Sequence, residues 1–402
     1  MSRQFNHRGM ILSGEIKNTE IGTSSDWKIS ERQSCIICES EELQEVVAFP
    51  NFPVYLGCTD KSSTHDEFLD MVFDSCENCD GLQVRKFPPL EIVYGEAHAD
   101  AVGGVWRRHH RAFSNFLNRW APKNIFEIGG GAGRVALDYL DSNMDAKWTL
   151  IDANPQIKGA GTLRVQAAWF DESFVFDTEV DCIVHTHTLE HMLDPSKFLR
   201  VVASHLSPEQ LHCFSVPNLR VMLSRGQPNS VNFEHTVFLD EQVLDEILES
   251  AGFKLLEKQY QHESLSIFYA TKRATSEREP NFRSGTSSKK LLQQFIENNK
   301  SIVDNLNNKM KTLDGPIYLF GASIFSQYLI AFGLDKSKLV GLIDNSQMKI
   351  GRRLFGTNLS VYHPSEISNH ENPTVISLMG QYQDEIVSQL RSISPTVQIL
   401  GN

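Results

Sequence analysis

The stretch Ile125-Phe126-Glu127-Ile128-Gly129-Gly130-Gly131-Ala132-Gly133-Arg134 constrains this chain more than any other. Apolar residues flank one acid, glycines crowd behind them, and helix-forming residues begin at about Val135. The pattern predicts a buried strand, a tight turn and a helix N-terminus. Glycines at 129, 131 and 133 carry no Cβ, so the backbone there can turn sharply and approach a ligand closely. Further on, Trp148-Thr149-Leu150-Ile151-Asp152 reads as a second short strand ending in an acid. Asp152 at its tip, with Ala153 beside it, is placed to bind the ribose hydroxyls of an adenine nucleoside.

The glycine spacing narrows the choice of nucleoside. A dinucleotide site uses the longer G-x-G-x-x-G, whose helix N-terminus receives a pyrophosphate. Here the glycines alternate, and Glu127 stands two residues before the first of them. S-adenosylmethionine (SAM) has no phosphate, and its amino-acid end is zwitterionic. Glu127-x-Gly129-x-Gly131-x-Gly133 resembles motif I of class I SAM-dependent methyltransferases, and Asp152 matches the acidic end of their second strand. The plainer alternative is a Rossmann turn that binds no SAM.

Two C-x-x-C pairs precede this domain, Cys35/Cys38 and Cys76/Cys79. Together they can supply four thiolates to one tetrahedral Zn²⁺, which leaves no open position for catalysis, so the ion is expected to be structural. Between them, Phe49 to Gly57 offers too little apolar material for a large core, and a segment this small usually needs a metal staple. Cys58, Cys182 and Cys213 remain; the last two fall in apolar strands and read as small buried hydrophobes.

A length of 402 residues suggests two or three domains. A net charge of -12 argues against a general nucleic-acid binder, since phosphate contacts need clustered Lys and Arg. Met1 to His7 has no apolar core of a secretory signal, so a cytoplasmic protein is expected. The uncharged stretch Ile317 to Leu334 invites reading as a membrane span. Gly321, Ser323, Ser326 and Gln327 interrupt it, and it parses better as strand, turn and helix. The expected partner is a small molecule, with neither nucleic acid nor membrane, for a monomer or homodimer.

In order along the chain, residues 1–30 form a polar N-terminal arm, 31–90 the zinc-binding module, 91–273 the SAM domain, 274–288 a linker and 289–402 a smaller α/β unit. A helix from about Val105 would precede the first strand and cover the cofactor mouth. Tyr94, His98 and His110 near it are candidates for substrate or SAM contacts. Val180 to His187 reads as a central strand opening into Thr188-Leu189-Glu190-His191. Parallel sheets bind ligands beyond the carboxyl ends of their strands, so this turn faces the cleft. Leu211 to Asn218 is the next strand and turn, and a helix follows over Asp240 to Ala251. Phe253 to Gln261 and Ser264 to Lys272 then pair as a hairpin, as in the seven-stranded methyltransferase fold. The C-terminal unit opens with a helix over Lys289 to Lys311. Its first turn has only Gly321 before Ser323, so the spacing predicts no second dinucleotide site there.

Zinc module, SAM domain and C-terminal Rossmann-like domain in this order resemble the NDP-sugar C-methyltransferases of deoxysugar biosynthesis and their relatives in surface-polysaccharide clusters. The motifs behind this are the four cysteines, Glu127 to Gly133, Leu189-Glu190-His191, Asn232-Phe233-Glu234-His235, and Asp344-Asn345 through Gly351. The resemblance implies an α/β class I methyltransferase sheet with a zinc module before it and a smaller α/β domain after it. It implies SAM and structural zinc as cofactors and a nucleotide-linked sugar as substrate. It further implies an active site at Glu234 and His235, with His235 as the base and His191 as a neighbour. The family's usual tyrosine two residues before the glutamate is replaced here by Asn232, a candidate substrate contact. That tyrosine is thought to help an enolate, so O-methylation of a polysaccharide or natural-product precursor is the alternative chemistry. Two other classes are a catalytically inactive SAM-binding scaffold and an NAD-linked sugar oxidoreductase.

Overall fold

A computed structural model describes residues 28–93, 104–176, 179–228, 232–276 and 278–401. Tyr94 and His98 lie outside the described residues. Strand β1 (Leu43–Pro53) pairs antiparallel with β2 (Phe68–Cys76), which pairs with β3 (Leu82–Val84). Phe49, Phe52, Met71, Phe73, Leu82 and Val84 are all buried by this sheet. The module therefore has far more core than its sequence suggests. Part of that core comes from elsewhere in the chain. The fourth strand of its sheet is β9 (Val237–Phe238), which pairs with β3. The boundary expected at residue 90 is thus crossed by a shared sheet. No local pattern in either segment announces a partner so distant in sequence.

The central sheet contains β4 (Asn124–Ile128), β5 (Lys147–Asp152), β6 (Leu163–Ala167), β7 (Cys182–Thr186) and β8 (Leu211–Pro217), all parallel. The hairpin β10 (Phe253–Gln261) and β11 (Ser266–Arg273) finishes it, with β11 antiparallel to β8. The strand order is β10-β11-β8-β7-β4-β5-β6. The order reverses at β4, which has β5 on one side and β7 on the other, and a ligand crevice opens at such a switch point. Strand β6 was not expected: Leu163-Arg164-Val165-Gln166-Ala167 is a half-buried edge with no strong apolar run. Helix α1 (Gly104–Leu117) lies where its periodicity places it, with Phe113, Phe116 and Leu117 buried. Helix α2 (Arg134–Ser142) shares a buried cluster with α1, while α3 (Pro195–Ser204) and α4 (Glu241–Ser250) pack in a separate one.

Helix α5 (Ser287–Met310) leads into the C-terminal unit. There β12 (Ile317–Phe320), α6 (Ile324–Ala331), β13 (Leu339–Ile343), β14 (Val361–Tyr362), β15 (Thr374–Ile376), α7 (Gln383–Ile393) and β16 (Gln398–Leu400) build a parallel sheet of order β14-β13-β12-β15-β16. The uncharged stretch is strand, turn and helix, and no described helix is long and apolar enough to cross a membrane. Asp344, just past β13, accepts from Ala322 N at 2.9 Å and from Lys349 Nζ at 3.0 Å. The N-terminal module touches this unit too. Cys58–Thr59 pairs with Arg353–Leu354, and Arg353 grips Asp66 with two bonds of 2.7 and 2.6 Å. Phe49 packs against Tyr328 and Phe332, and Phe52 against Phe233.

Candidate active site

The turn after β4 uses its glycines for two different reasons. Gly129, Gly131 and Gly133 have φ of 72°, 48° and 64°, the left-handed region that glycine enters without strain. Gly130 is needed for space instead. A Cβ there would stand 2.5 Å from Leu150 Cδ1 and 2.7 Å from Glu127 Cδ. Sequence reasoning passed over Gly130 because alternate spacing drew attention to its neighbours.

The turn edges a cleft of about 410 Å³ that Trp106, His110, Thr186 and His187 also line. Asp152, half-buried at the tip of β5, is tied to the turn: its Oδ2 accepts from Gly131 N at 2.9 Å and its Oδ1 from Asn154 N at 2.8 Å. Each carboxylate oxygen keeps a second lone pair for a ribose hydroxyl. Ala153 is exposed. Glu127 reaches the cleft but is 2% exposed, and its Oε2 accepts from Trp148 Nε1 at 2.9 Å. Burial pushes its carboxyl up to about 7, against the opposing pull of the Trp148 bond.

A carboxyl raised in the fold stabilises only while it stays protonated. Its contribution is complete below its ordinary value of 4.5 and is lost as pH rises through about 7. The loss amounts to about 3 kcal/mol at one pKa unit per 1.36 kcal/mol. Glu127→Gln keeps an acceptor for Trp148 and cannot ionise. We expect the variant to lose this stretch of pH dependence and to melt above the wild type at pH 8. Thermal unfolding at a series of pH values measures it.

A second group of side chains stands at the carboxyl end of β7. His187 has φ of 48°, a strained value for a residue with a Cβ, and such strain concentrates at functional sites. From there the chain enters a short 3-10 turn, Leu189–His191. His187 Nδ1 donates to Glu190 Oε1 at 3.1 Å, and its Nε2 pairs with Ser266 Oγ at 3.0 Å. Glu190 is 2% exposed. Burial pushes its carboxyl up, but the His187 bond and the nearby His187, His191 and His235 outweigh it and hold the carboxyl down at about 2. The rings of His191 and His235 lie 4.7 Å apart. Ligand-capable atoms of Glu190, His191 and His235 all fall within 4.8 Å of one another. The sequence pointed to His191 and His235 as site residues and to Glu190 only within the Leu189-Glu190-His191 motif, and it did not pair His187 with Glu190. Their three-residue spacing across one turn was the available signal.

Glu234 is half-buried, and burial pushes its carboxyl up to about 7. Asn232 was expected to reach the substrate. It is 2% exposed, and its Oδ1 accepts from Glu234 N at 2.7 Å and His235 N at 3.1 Å. That oxygen shapes the turn carrying the Glu-His pair, while fully buried Phe233 anchors the turn in the core.

The four cysteines converge. Cys35 and Cys79 Sγ are 3.5 Å apart, Cys38 and Cys76 Sγ 3.6 Å, and all four lie within 4.8 Å of one another. Zn–S bonds of about 2.3 Å in a tetrahedron put the sulfurs about 3.8 Å apart, so the set fits a zinc ion. Gly81 leaves room for it: a Cβ there would meet Cys79 Sγ at 3.1 Å. Beside the cluster, Arg32 is 6% exposed. It donates from Nη1 to Val84 O and Thr236 O, both at 2.9 Å, and from Nη2 to Leu193 O at 2.8 Å and Thr236 Oγ1 at 3.0 Å. One guanidinium thus joins the four-cysteine module to the chain just past His191 and just past His235.

Residues 105–258 match the family described as a methyltransferase domain, and residues 264–397 the family described as a C-methyltransferase C-terminal domain. A protein of Mycolicibacterium smegmatis described as a probable S-adenosylmethionine-dependent methyltransferase is 26% identical over 41% of this chain and 62% of its own length. One of Mycobacterium tuberculosis with the same description is 27% identical over 37% of this chain and 55% of its own. The chain therefore covers less than two thirds of these relatives. Human N-acetylserotonin methyltransferase, solved with SAM, is similar over 42% of this chain and 53% of its own, at 17% identity and a TM-score of 0.35. The seven-stranded sheet thus has the class I SAM-dependent methyltransferase fold, within the span that matches the methyltransferase-domain family, and residues 264–397 are similar to the C-methyltransferase C-terminal domain family.

Proposed function

We propose that this protein transfers the methyl group of SAM to a carbon next to the ketone of a nucleotide-linked sugar. The observation that carries this reading is the meeting of the glycine cleft with the Glu190, His191 and His235 cluster at one edge of the sheet, through His187. The cleft holds SAM over Gly129 to Gly133 with its ribose on Asp152. The acceptor lies on the side of His191 and His235, and the Glu234–His235 pair takes its proton. SAM is already activated, so the chain mainly aligns the acceptor in line with the methyl group and removes that proton. The C-methyltransferase C-terminal match favours carbon over oxygen as the nucleophile. The four cysteines hold a structural Zn²⁺.

Incubation of the purified protein with labelled SAM and a panel of nucleotide-linked ketosugars tests the reading. Label in a carbon-bound methyl of the sugar supports it. Label in a methyl ether moves the chemistry to O-methylation, and label in no sugar nucleotide overturns the substrate class. The cofactor half is tested separately. Asp152→Ala should weaken SAM by roughly 2–3 kcal/mol, the cost of a charged acceptor of two hydroxyls. Unchanged affinity by calorimetry would refute the placement.

A further inference from the structure

We infer that Glu190, His191 and His235 form a binding site for a first-row divalent cation that holds the acceptor's oxygen beside the SAM methyl group. The inference rests on the acceptor-site reading above and adds a cofactor to it. Two histidines and one carboxylate, with ligand atoms within 4.8 Å of one another, are the donor set of open transition-metal sites. Bonds of about 2.1 Å would set the ligand atoms about 3 to 3.5 Å apart, which small side-chain rotations reach. The carboxylate gives a second, independent sign. Glu190 is buried, one oxygen is held by His187 Nδ1, and among the described residues Oε2 has no hydrogen-bond partner. A buried carboxylate oxygen left bare is costly unless something charged completes it. The His187 bond also fixes the carboxylate from behind, as the partners of metal ligands do. His187 is fixed in turn by Ser266.

Three protein ligands would leave coordination positions of the ion open, where a ketone oxygen can bind. The cation then carries the negative charge that appears on that oxygen when the neighbouring carbon loses its proton. With His235 ligating, the proton passes to the carboxylate of Glu234 next to it. The electron pair of that C–H bond forms the new C–C bond to the methyl group. The S–CH₃ bond breaks with its pair staying on sulfur, so no oxidant or reductant is needed.

Mn²⁺ is the probe, because thiolates prefer Zn²⁺ and the four-cysteine site will not compete for manganese. Electron paramagnetic resonance of the full chain, titrated with Mn²⁺, should count one bound ion. His235→Asn and His191→Ala should each lower that affinity at least about 10–100-fold, the loss seen when even an outer partner of a metal ligand is removed. Glu234→Gln should keep the ion and lose turnover. Glu190→Gln is a further arm, and the half-buried His191 serves if that buried change fails to fold. Absence of a bound ion, or binding indifferent to His191 and His235, overturns the inference. The readout needs no substrate: methylation of a ketosugar without a bound cation would leave the proposed function standing and sink the cation site. A bound ion without any ketosugar turnover would do the reverse.

Discussion

Replacing His235 with Asn should lower turnover by about 10²–10⁴, the usual worth of the proton removal in which the Glu234–His235 pair takes part, and leave SAM affinity unchanged. Asn keeps roughly the size of the ring and removes its basic nitrogen, so the loss reports chemistry more than packing. His235 is not among the residues that line the cleft of the glycine turn, which Thr186 and His187 do line. SAM binding should therefore survive, and single-turnover kinetics with calorimetry separates the two quantities. Because His235 N is held by the Asn232 side chain at 3.1 Å, the backbone of the turn should stay in place in the variant. A His235→Asn enzyme that turned over at the wild-type rate would remove His235 from the reaction, whether as base or as ligand. His191, whose ring is 4.7 Å away, would then be the first replacement to try.

Local patterns made much of this site legible. Alternating glycines forced a turn of left-handed residues, and paired C-x-x-C spacing forced two facing knuckles, because both are constraints a few residues long. The hairpin strand Phe253–Gln261 was readable from end to end for the same reason. What stayed hidden depends on residues far apart in sequence. Val237–Phe238 is too short to read as a strand until β3 stands beside it. Glu190 gains its meaning only from His235, which another loop supplies. Arg32 sits in a polar stretch that suggests nothing, yet its partner Thr236 comes 204 positions later. Nor did anything local in Asn232 show that its oxygen would be spent on the backbone.

We expect the same long-range ties to make the four-cysteine module matter to the reaction. Stripping the metal, or replacing Cys76 with Ser, should abolish turnover even though no cysteine touches SAM or the acceptor. Structural zinc binding is worth about 10–16 kcal/mol in small domains, more than a sheet of this size holds in reserve. Cys76 closes β2 and Cys79 precedes β3, so loss of the ion frees the ends of both strands. With them goes the edge on which β9 is laid, two residues after His235. Arg32 also loses its footing, and with it the bonds to Leu193 O and Thr236 O that hold the His191 and His235 loops at their distance. A displacement near 1 Å at a reacting group costs about 10²-fold, so even partial loosening should show in the rate. Arg32→Lys makes the milder version of the test, since one ammonium cannot reproduce a two-armed guanidinium reaching both loops. It should cut turnover by about 10²-fold with zinc retained. Elemental analysis of the wild type should find about one zinc per chain from this site. SAM binding, built on the β4 turn and Asp152, should outlast turnover in both variants. Full activity in a folded preparation lacking zinc would detach the module from the chemistry altogether.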